Sequence, residues 1–171
     1  MNNLSESVKE LLNTADSKDM YFLGRRPSIK QIYNELTNFE NFDKNNISNK
    51  SRTNMGTTCS LDDRVVGYNS FTIMQNASPT PYEKKALDMG SNLNYFYLRK
   101  LFVHPDFRSQ GIGTKFIKQN MKLAKGIDKH CIADIEKNNY NMINILIAQG
   151  FNEDYNWESW NGKNMVRFFH D

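Results

Sequence analysis

No stretch of this chain is apolar for long enough to cross a membrane, which takes about 20 consecutive apolar residues, so no membrane partner is expected. The first residues, Met1-Asn2-Asn3-Leu4-Ser5-Glu6-Ser7, lack the basic start and apolar run of a secretory leader, and a cytoplasmic location is expected. Cysteine is scarce: Cys59 and Cys131 are the only two, both in stretches of strand character. Two thiols without a secretion signal are expected as reduced core residues and not as a disulfide. No group of Cys and His has metal-ligand spacing, so no metal is expected. The charge excess is small, +3. A nucleic-acid-binding domain would concentrate basic residues on one stripe, so nucleic acid is not expected as a partner. Internal repeats and domain breaks are also missing. The 171 residues, 39% apolar and 12% aromatic, are expected to form a single domain, 1–171, with a core of its own.

What is present centres on residues 95–126. The run Tyr95-Phe96-Tyr97-Leu98-Arg99-Lys100-Leu101-Phe102-Val103 reads as a strand, and His104-Pro105-Asp106-Phe107 breaks it. Arg108-Ser109-Gln110-Gly111-Ile112-Gly113-Thr114 then opens a helix reaching about Lys125 and stopping at Gly126. A strand, a glycine-bearing loop and a helix start make an anion site. Backbone N–H groups of the first helical turn have no intrahelical acceptor, and the helix dipole favours negative charge there. Gly111 and Gly113 would let a phosphate approach the backbone closely. Two familiar phosphate loops are excluded. Lys115 and Phe116 follow Gly113 where a dinucleotide fingerprint needs spacing to a third glycine, and the Gly-Lys-Ser/Thr of a nucleoside-triphosphate loop is absent.

The pattern that fits is Arg/Gln-x-x-Gly-x-Gly/Ala, met by Arg108-x-x-Gly111-x-Gly113 after Leu101-Phe102-Val103-His104-Pro105. A second stretch follows: Ile132-Ala133-Asp134-Ile135-Glu136-Lys137-Asn138-Asn139, a helix, then Gly150-Phe151. Together they resemble the acetyl-coenzyme A motif, the next strand, the Asn-led helix and the Gly-Phe ending of the GNAT superfamily of N-acetyltransferases. Val65-Val66-Gly67-Tyr68 adds to the likeness, which covers about residues 54–169. The resemblance implies an α/β (α+β) fold. Its sheet would be mixed, mostly antiparallel and twisted, with helices on both faces and splayed central parallel strands.

The remaining elements follow in chain order. Val8, Leu11 and Leu12 sit at helical spacing within residues 5–13. Met20-Tyr21-Phe22-Leu23 is a candidate strand. Pro27 and Ser28 start a helix with Ile29, Ile32, Tyr33, Leu36 and Phe39 on one side. Residues 40–51 read as a solvated loop. Thr53–Leu61 and Val65–Gln75 form an expected hairpin through Asp62-Asp63-Arg64, and Gly67 inside it marks a bulge or a close approach. Residues 76–94 make a long connection with a short helix over Tyr82–Met89, placed toward the acceptor side. After the central motif, Ile112, Phe116, Ile117, Met121 and Ala124 should pack on the sheet. Lys115, Lys118, Lys122 and Lys125 form a stripe read as a solvated face. Cys131–Ile135 is the next strand, Asn138 or Asn139 caps a helix, and Gly150 ends it. Phe151–Tyr155 and Met165–Phe169 are the last strands, with Asn161-Gly162 as turn signal.

Acyl transfer to an amine must hold the donor, stabilise the carbonyl oxygen and remove a proton. The main chain of Gln110, Gly111, Ile112, Gly113 and Thr114, with Arg108 and Ser109, is expected to grip a diphosphate. By resemblance, acetyl-CoA is the co-substrate, its pantetheine arm lies along Leu101-Phe102-Val103, and Asn139 matches an asparagine that contacts it. Asn139 reads equally as a helix cap. Two departures stand out. Where many members carry a tyrosine four residues before the Gly-Phe glycine, this chain has Leu146, and residues 97–100, Tyr-Leu-Arg-Lys, offer no carboxylate. Asp134 and Tyr140 are therefore the catalytic candidates, with Glu136 and Tyr97 nearby and His104 read as structural. The expected activity is N-acyltransfer (EC 2.3.1.-) by direct attack of a primary amine of a small molecule or peptide. Two alternatives stay open: a non-catalytic acetyl-CoA sensor, or a toxin-like enzyme acting on a macromolecule, to which Arg25-Arg26 lend weak support. Oligomeric state stays open as well, a homodimer included.

Overall fold

The computed structural model describes residues 2–14, 27–44, 51–86 and 93–171. Strands β1 (Arg52–Leu61) and β2 (Arg64–Met74) form the expected hairpin. Asp62 and Asp63 turn the chain with φ of 47° and 61°, the left-handed pair that a two-residue hairpin of native twist requires. β3 (Tyr95–Val103) runs antiparallel to β2, and β4 (His130–Glu136) runs parallel to β3. β5 (Asn152–Glu158) and β6 (Asn164–His170) complete one six-stranded sheet in the order β1-β2-β3-β4-β6-β5. Only the β3–β4 pair is parallel. A parallel pair needs a crossover, and α4 (Ile112–Gly126) provides it. α5 (Tyr140–Ala148) joins β4 to β5.

Three further helices, α1 (Asn2–Thr14), α2 (Ile29–Glu40) and α3 (Pro81–Ala86), precede β3. Ser28 caps α2, its hydroxyl accepting the Gln31 N–H at 3.1 Å. The amphipathic stretch at residues 5–13 is indeed a helix, and Val8, Leu11 and Leu12 are buried. The candidate strand Met20–Leu23 and the pair Arg25-Arg26 lie outside the described residues, as does the tail of the expected helix beyond Ala86.

The two faces of the sheet carry different helices. α1 and α2 set Val8, Leu11, Leu12 and Ile32 against Val65, Tyr68 and Phe102. α4 lies over the opposite face, where Ile117 and Ala124 join Phe71, Phe96 and Leu98 in the main core. Gly67 is the close approach that its place in a strand suggested. A Cβ there would stand 2.9 Å from the Phe116 ring and 3.2 Å from Ile112, so only glycine lets α4 settle this near β2. Asn69 and Asn120 lock the same contact, each amide donating to the other's oxygen at 3.0 and 2.9 Å. Met142 and Leu146 of α5 extend the core over Ala133 and Ile135. The α4 lysines 115, 118, 122 and 125 are all exposed, a solvated face as read from their spacing.

One irregularity positions everything that follows. β3 and β4 pair only from Tyr95↔His130 to Leu98↔Ala133, although β3 runs on to Val103 and β4 to Glu136. At that point the β2–β3 register shifts: Phe71 faces Leu98 and Ser70 faces Lys100, leaving Arg99 as the extra residue of a β-bulge. A bulge bends its strand and sharpens the local twist. β3 therefore swings away from β4, and the sheet opens into a fork.

Leu146, where the resembled family often has a tyrosine, is fully buried in the main core. Leu146→Ala should cost about 2–5 kcal/mol of stability, read from urea unfolding, and leave turnover of the folded fraction intact. Lost turnover at unchanged stability would contradict this structural role.

Candidate active site

The fork opens beside a cleft of about 520 Å³. Its walls are the free edge of β3 at Leu101, Phe102 and Val103, the loop into α4, and the start of α5. Of the residues expected to hold the donor, Arg108, Ser109, Gly111, Ile112, Gly113, Thr114 and Asn139 line this cleft together with that strand edge. Gln110 does not line it; its amide reaches the Asp106 carbonyl, at 3.5 Å. Asn141, Met142, Asn144 and Ile145 also line it, residues whose helical spacing carries no such signal.

Local chemistry explains the shape of the loop. Pro105–Phe107 form one turn of 3-10 helix, begun by His104, whose Nδ1 accepts the Asp106 N–H at 3.2 Å. His104 is buried and its Nε2 lies 3.1 Å from Arg64 Nη2, so its part is structural, as expected. Arg108 Nε donates to the Val103 carbonyl at 3.1 Å and ties the loop to the end of β3. Ser109 and Gly111 both adopt positive φ, 61° and 79°. Gly111 is the N-cap of α4 and supplies no capping side chain. The first intrahelical bond runs from Lys115 N–H to the Gly111 carbonyl, so the amides ahead of it point out of the helix end. An added Cβ at Gly111 would meet nothing within 4 Å, which makes it an open approach to main-chain N–H groups.

Asn139 faces the same cleft from the far wall. Its Oδ1 accepts the Met142 N–H at 3.3 Å as cap of α5, while its Nδ2 is buried and has no partner among the described residues. A buried amide donor left over costs free energy until an acceptor arrives. The cleft thus offers outward-pointing amides at one wall, an unpaired donor at the other and a strand edge with free main-chain groups between them. That is a site for an elongated ligand carrying a diphosphate at one end and amide groups along its length.

The two catalytic candidates are placed otherwise than expected. Asp134 is 1% exposed and each of its oxygens accepts two hydrogen bonds. Arg167 Nε and Trp157 Nε1 donate to Oδ1 at 2.8 and 3.1 Å, and Arg167 Nη2 and the Tyr97 hydroxyl donate to Oδ2 at 2.8 and 2.7 Å. Four donors thus converge on Asp134 and occupy both carboxylate oxygens, joining it to Arg167, Trp157 and Tyr97. Burial opposes the charge of Arg167, but the Asp134 hydrogen bonds outweigh it and hold the guanidinium protonated. Burial, together with Asp134, pushes the Tyr97 hydroxyl well above its ordinary value and keeps it a donor. Tyr140 begins α5 but is 71% exposed and does not line the cleft. Glu136 pairs with Lys163 at 3.0 Å.

On the other arm of the fork lies a second buried carboxylate, which the sequence reading missed. Glu35 of α2 is 2% exposed and accepts from Arg99 Nη1 at 2.6 Å, from Gln31 Nε2 at 3.0 Å and from the Tyr68 hydroxyl. Its position on the apolar side of α2, beside Ile32, was the available signal. Of the thiols, Cys131 is buried, which pushes it up to about 12 and leaves it unreactive, whereas Cys59 is only half-buried; both are free.

Comparison with known proteins follows the geometry. Residues 17–151 match the acetyltransferase (GNAT) family. Mouse (Mus musculus) thialysine N-epsilon-acetyltransferase is 35% identical over a 97-residue alignment that covers 48% of this chain and 57% of that protein. The chain thus spans little more than half the length of that relative. Among solved structures, a ribosomal-protein-alanine N-acetyltransferase from Brucella melitensis superposes with a TM-score of 0.60 at 16% identity, over 97% of this chain and 90% of its own. A Salmonella typhimurium protein solved with its cofactor acetyl-CoA gives 0.59 at 13% identity, over 97% and 84%. At such identities the likeness is one of fold.

Asp134→Asn should cost about 3–5 kcal/mol, because it strands the Arg167 charge, itself 4% exposed, in the interior. Equilibrium unfolding in urea measures it. A change below about 1 kcal/mol, the scale of an exposed ion pair, would mean that the network is solvated and that the carboxylate is available for chemistry.

Proposed function

The chain belongs to the acetyltransferase (GNAT) family, and from that premise we propose that it transfers an acetyl group from acetyl-CoA to a primary amine of a small molecule or peptide, by direct attack with both substrates bound. The observation that carries this reading is the fork. The bulge at Arg99 leaves the β3 edge from Leu101 to Val103 without a strand partner on the β4 side, and that edge runs into the glycine loop. A ligand lying along it takes the place of a missing strand, a common way to bind an extended chain through its main-chain groups.

The parts divide as follows. Outward amides of Gly111 to Thr114, reinforced by the α4 dipole, take the diphosphate, with Arg108 and Ser109 at the loop. The Leu101–Val103 edge takes the amide groups of the pantetheine arm, and Asn139 Nδ2 donates to it from α5. Acetyl-CoA supplies a thioester, an acyl group already activated toward amines. Main-chain N–H groups of β3 just past Leu98 polarise its carbonyl, the preorganised stabilisation that dominates acyl transfer. Asp134 takes no part in proton transfer in this account. The acceptor enters from the α1–α2 side of the fork, where Arg99 and Lys100 project. The name of the mouse relative makes lysine-like ε-amines the first compounds to try. The buried Leu146 and the fully engaged Asp134 favour a second reading, a binder without turnover.

Two measurements test this. Release of coenzyme A thiol from acetyl-CoA should appear with at least one amine among thialysine, lysine, polyamines, aminoglycosides and peptide N-termini. Micromolar acetyl-CoA affinity with no turnover on any of them would select the second reading, and no affinity would overturn both. Gly111→Val should abolish acetyl-CoA binding in calorimetry. A branched side chain there blocks the amides and sits at φ 79°, a strain of roughly 1–2 kcal/mol, which leaves the fold standing by circular dichroism. Unchanged affinity would remove the diphosphate assignment.

A further inference from the structure

The bulge that opens the fork has one weakly held member. Among residues 96–103 of β3, Arg99 alone has no partner in β2, and β3 pairs with β4 no further than Leu98. The extra residue of a bulge stands outside the ladder, so neither neighbouring strand fixes its place. Leu101, close behind it on the same edge, is the first strand residue on the cleft wall. Where Arg99 stands therefore decides how the free edge enters the cleft.

What fixes Arg99 is a side-chain tether. Its Nη1 donates to Glu35 Oε1 of α2 at 2.6 Å, a charge-assisted bond to a buried carboxylate. Glu35 is in turn held on two more sides. Gln31 Nε2, one helical turn before it, donates to Oε1 at 3.0 Å, and the Tyr68 hydroxyl donates to Oε2. Burial first, and Glu35 second, raise that hydroxyl above its ordinary value and keep it a donor. The Tyr68 ring has a seat of its own on β1. A Cβ at Gly56 would stand 3.0 Å from Tyr68 Cε2 and 3.2 Å from its hydroxyl oxygen, so a glycine there admits the phenol. Thus β1, β2 and α2 brace one carboxylate, and that carboxylate braces the bulge.

Building on the transfer reading above, we propose that Glu35 is a positioning residue for acyl transfer: through Arg99 it sets the β3 main chain that polarises the thioester carbonyl. It touches no substrate. The diphosphate and the pantetheine arm are held from Leu101 onward, beyond the tether. Charge on the carbonyl oxygen is more demanding, because donors stabilise it only when they are already aimed at the place it will occupy. An untethered bulge still binds the donor but presents its carbonyl badly. The signature of this role is a loss in kcat with acetyl-CoA affinity unchanged.

The test uses the whole chain as wild type, Glu35→Gln, Arg99→Met and the two together. Glu35→Gln keeps the shape and removes the charge. The double variant strands no charge in the interior, and removing both members of such a pair is often neutral to folding, so it carries the measurement even where a single variant is unstable. Calorimetry should give every variant the wild-type acetyl-CoA affinity. Infrared spectra of bound acetyl-CoA, isotopically labelled at the thioester carbonyl, should show the carbonyl stretch at lower frequency in wild type and back toward its solution value in each variant. That arm needs no acceptor amine, so it reads the proposal apart from turnover. With the best amine of the panel, kcat should fall ~100-fold, the scale of one lost oxyanion donor. It should fall no further in the double variant than in either single one, because residues acting through one another are not additive. A wild-type carbonyl frequency in the double variant overturns the proposal, as do losses that multiply or an acetyl-CoA affinity that falls with kcat. A wild type that fails to bind acetyl-CoA overturns the underlying reading as well.

Discussion

The structure depends on one constraint: two parallel neighbours in an otherwise antiparallel sheet are not allowed to stay paired. The extra residue at Arg99 makes β3 turn away from β4 one position after Leu98↔Ala133. Parallel pairing is slightly weaker per residue than antiparallel pairing, so this is the least costly junction in the sheet to open. Opening it creates three things at once. It leaves a strand edge with free amides, it aims that edge at the start of α4, and it sets two polar clusters facing each other across a gap.

An opened sheet would tend to close again or to admit water along both arms. The two buried carboxylates address that. Asp134, Arg167, Tyr97 and Trp157 join β3, β4, β5 and β6 through a bidentate ion pair with both oxygens fully accepted. Glu35 ties α2 to β2 and to the bulged residue itself. Replacing such pairs by apolar side chains is often neutral or stabilising, so their value here is more specific than stability. They fix where each arm stands. Tyr97 belongs to β3 but bonds across to Asp134 of β4, which holds the strands together up to the point of divergence and no further.

What was legible in the sequence was local. The glycine loop, the strand before it and the helix after it are contiguous, so the motif and the resemblance it carries placed Arg108, Ser109, Gly111, Ile112, Gly113 and Thr114 on one cleft wall, whereas Gln110, expected with them, does not line it. Asn139 was readable as both cap and cleft residue because capping is a matter of a few residues. Gly67 was readable as a close approach, though not that Phe116 would be what approached. The misplacements were long-range. Alternation along β4 set Asp134 on the face opposite Ala133, but nothing in the sequence shows that Arg167, 33 positions on, would arrive opposite it by strand pairing. Tyr140 was a candidate as a hydroxyl at the start of the helix, but residues of a helix start point in different directions, and it faces solvent. Glu35 was invisible as a functional neighbour because its partners, Tyr68 and Arg99, are 33 and 64 residues away. The bulge had no sequence signal either, since it is a property of two strands in register.

The same geometry bears on charge. A carboxylate at position 99 or 100 would stand beside Glu35, and two buried like charges cannot both ionise cheaply. With Glu35 in place under α2, the fork instead accepts cations: Arg99 satisfies the carboxylate and Lys100 is left over. A leftover half-buried ammonium is itself unfavourable, and burial, with the neighbouring Arg99 charge second, lowers the Lys100 amine to about 8. The burial of Glu35 in the helix that packs on this face thus sets which charge the β3 arm carries beside it. The charge at the fork is set less by the glycine loop that marks the family than by α2, a helix none of whose described residues lines the cleft.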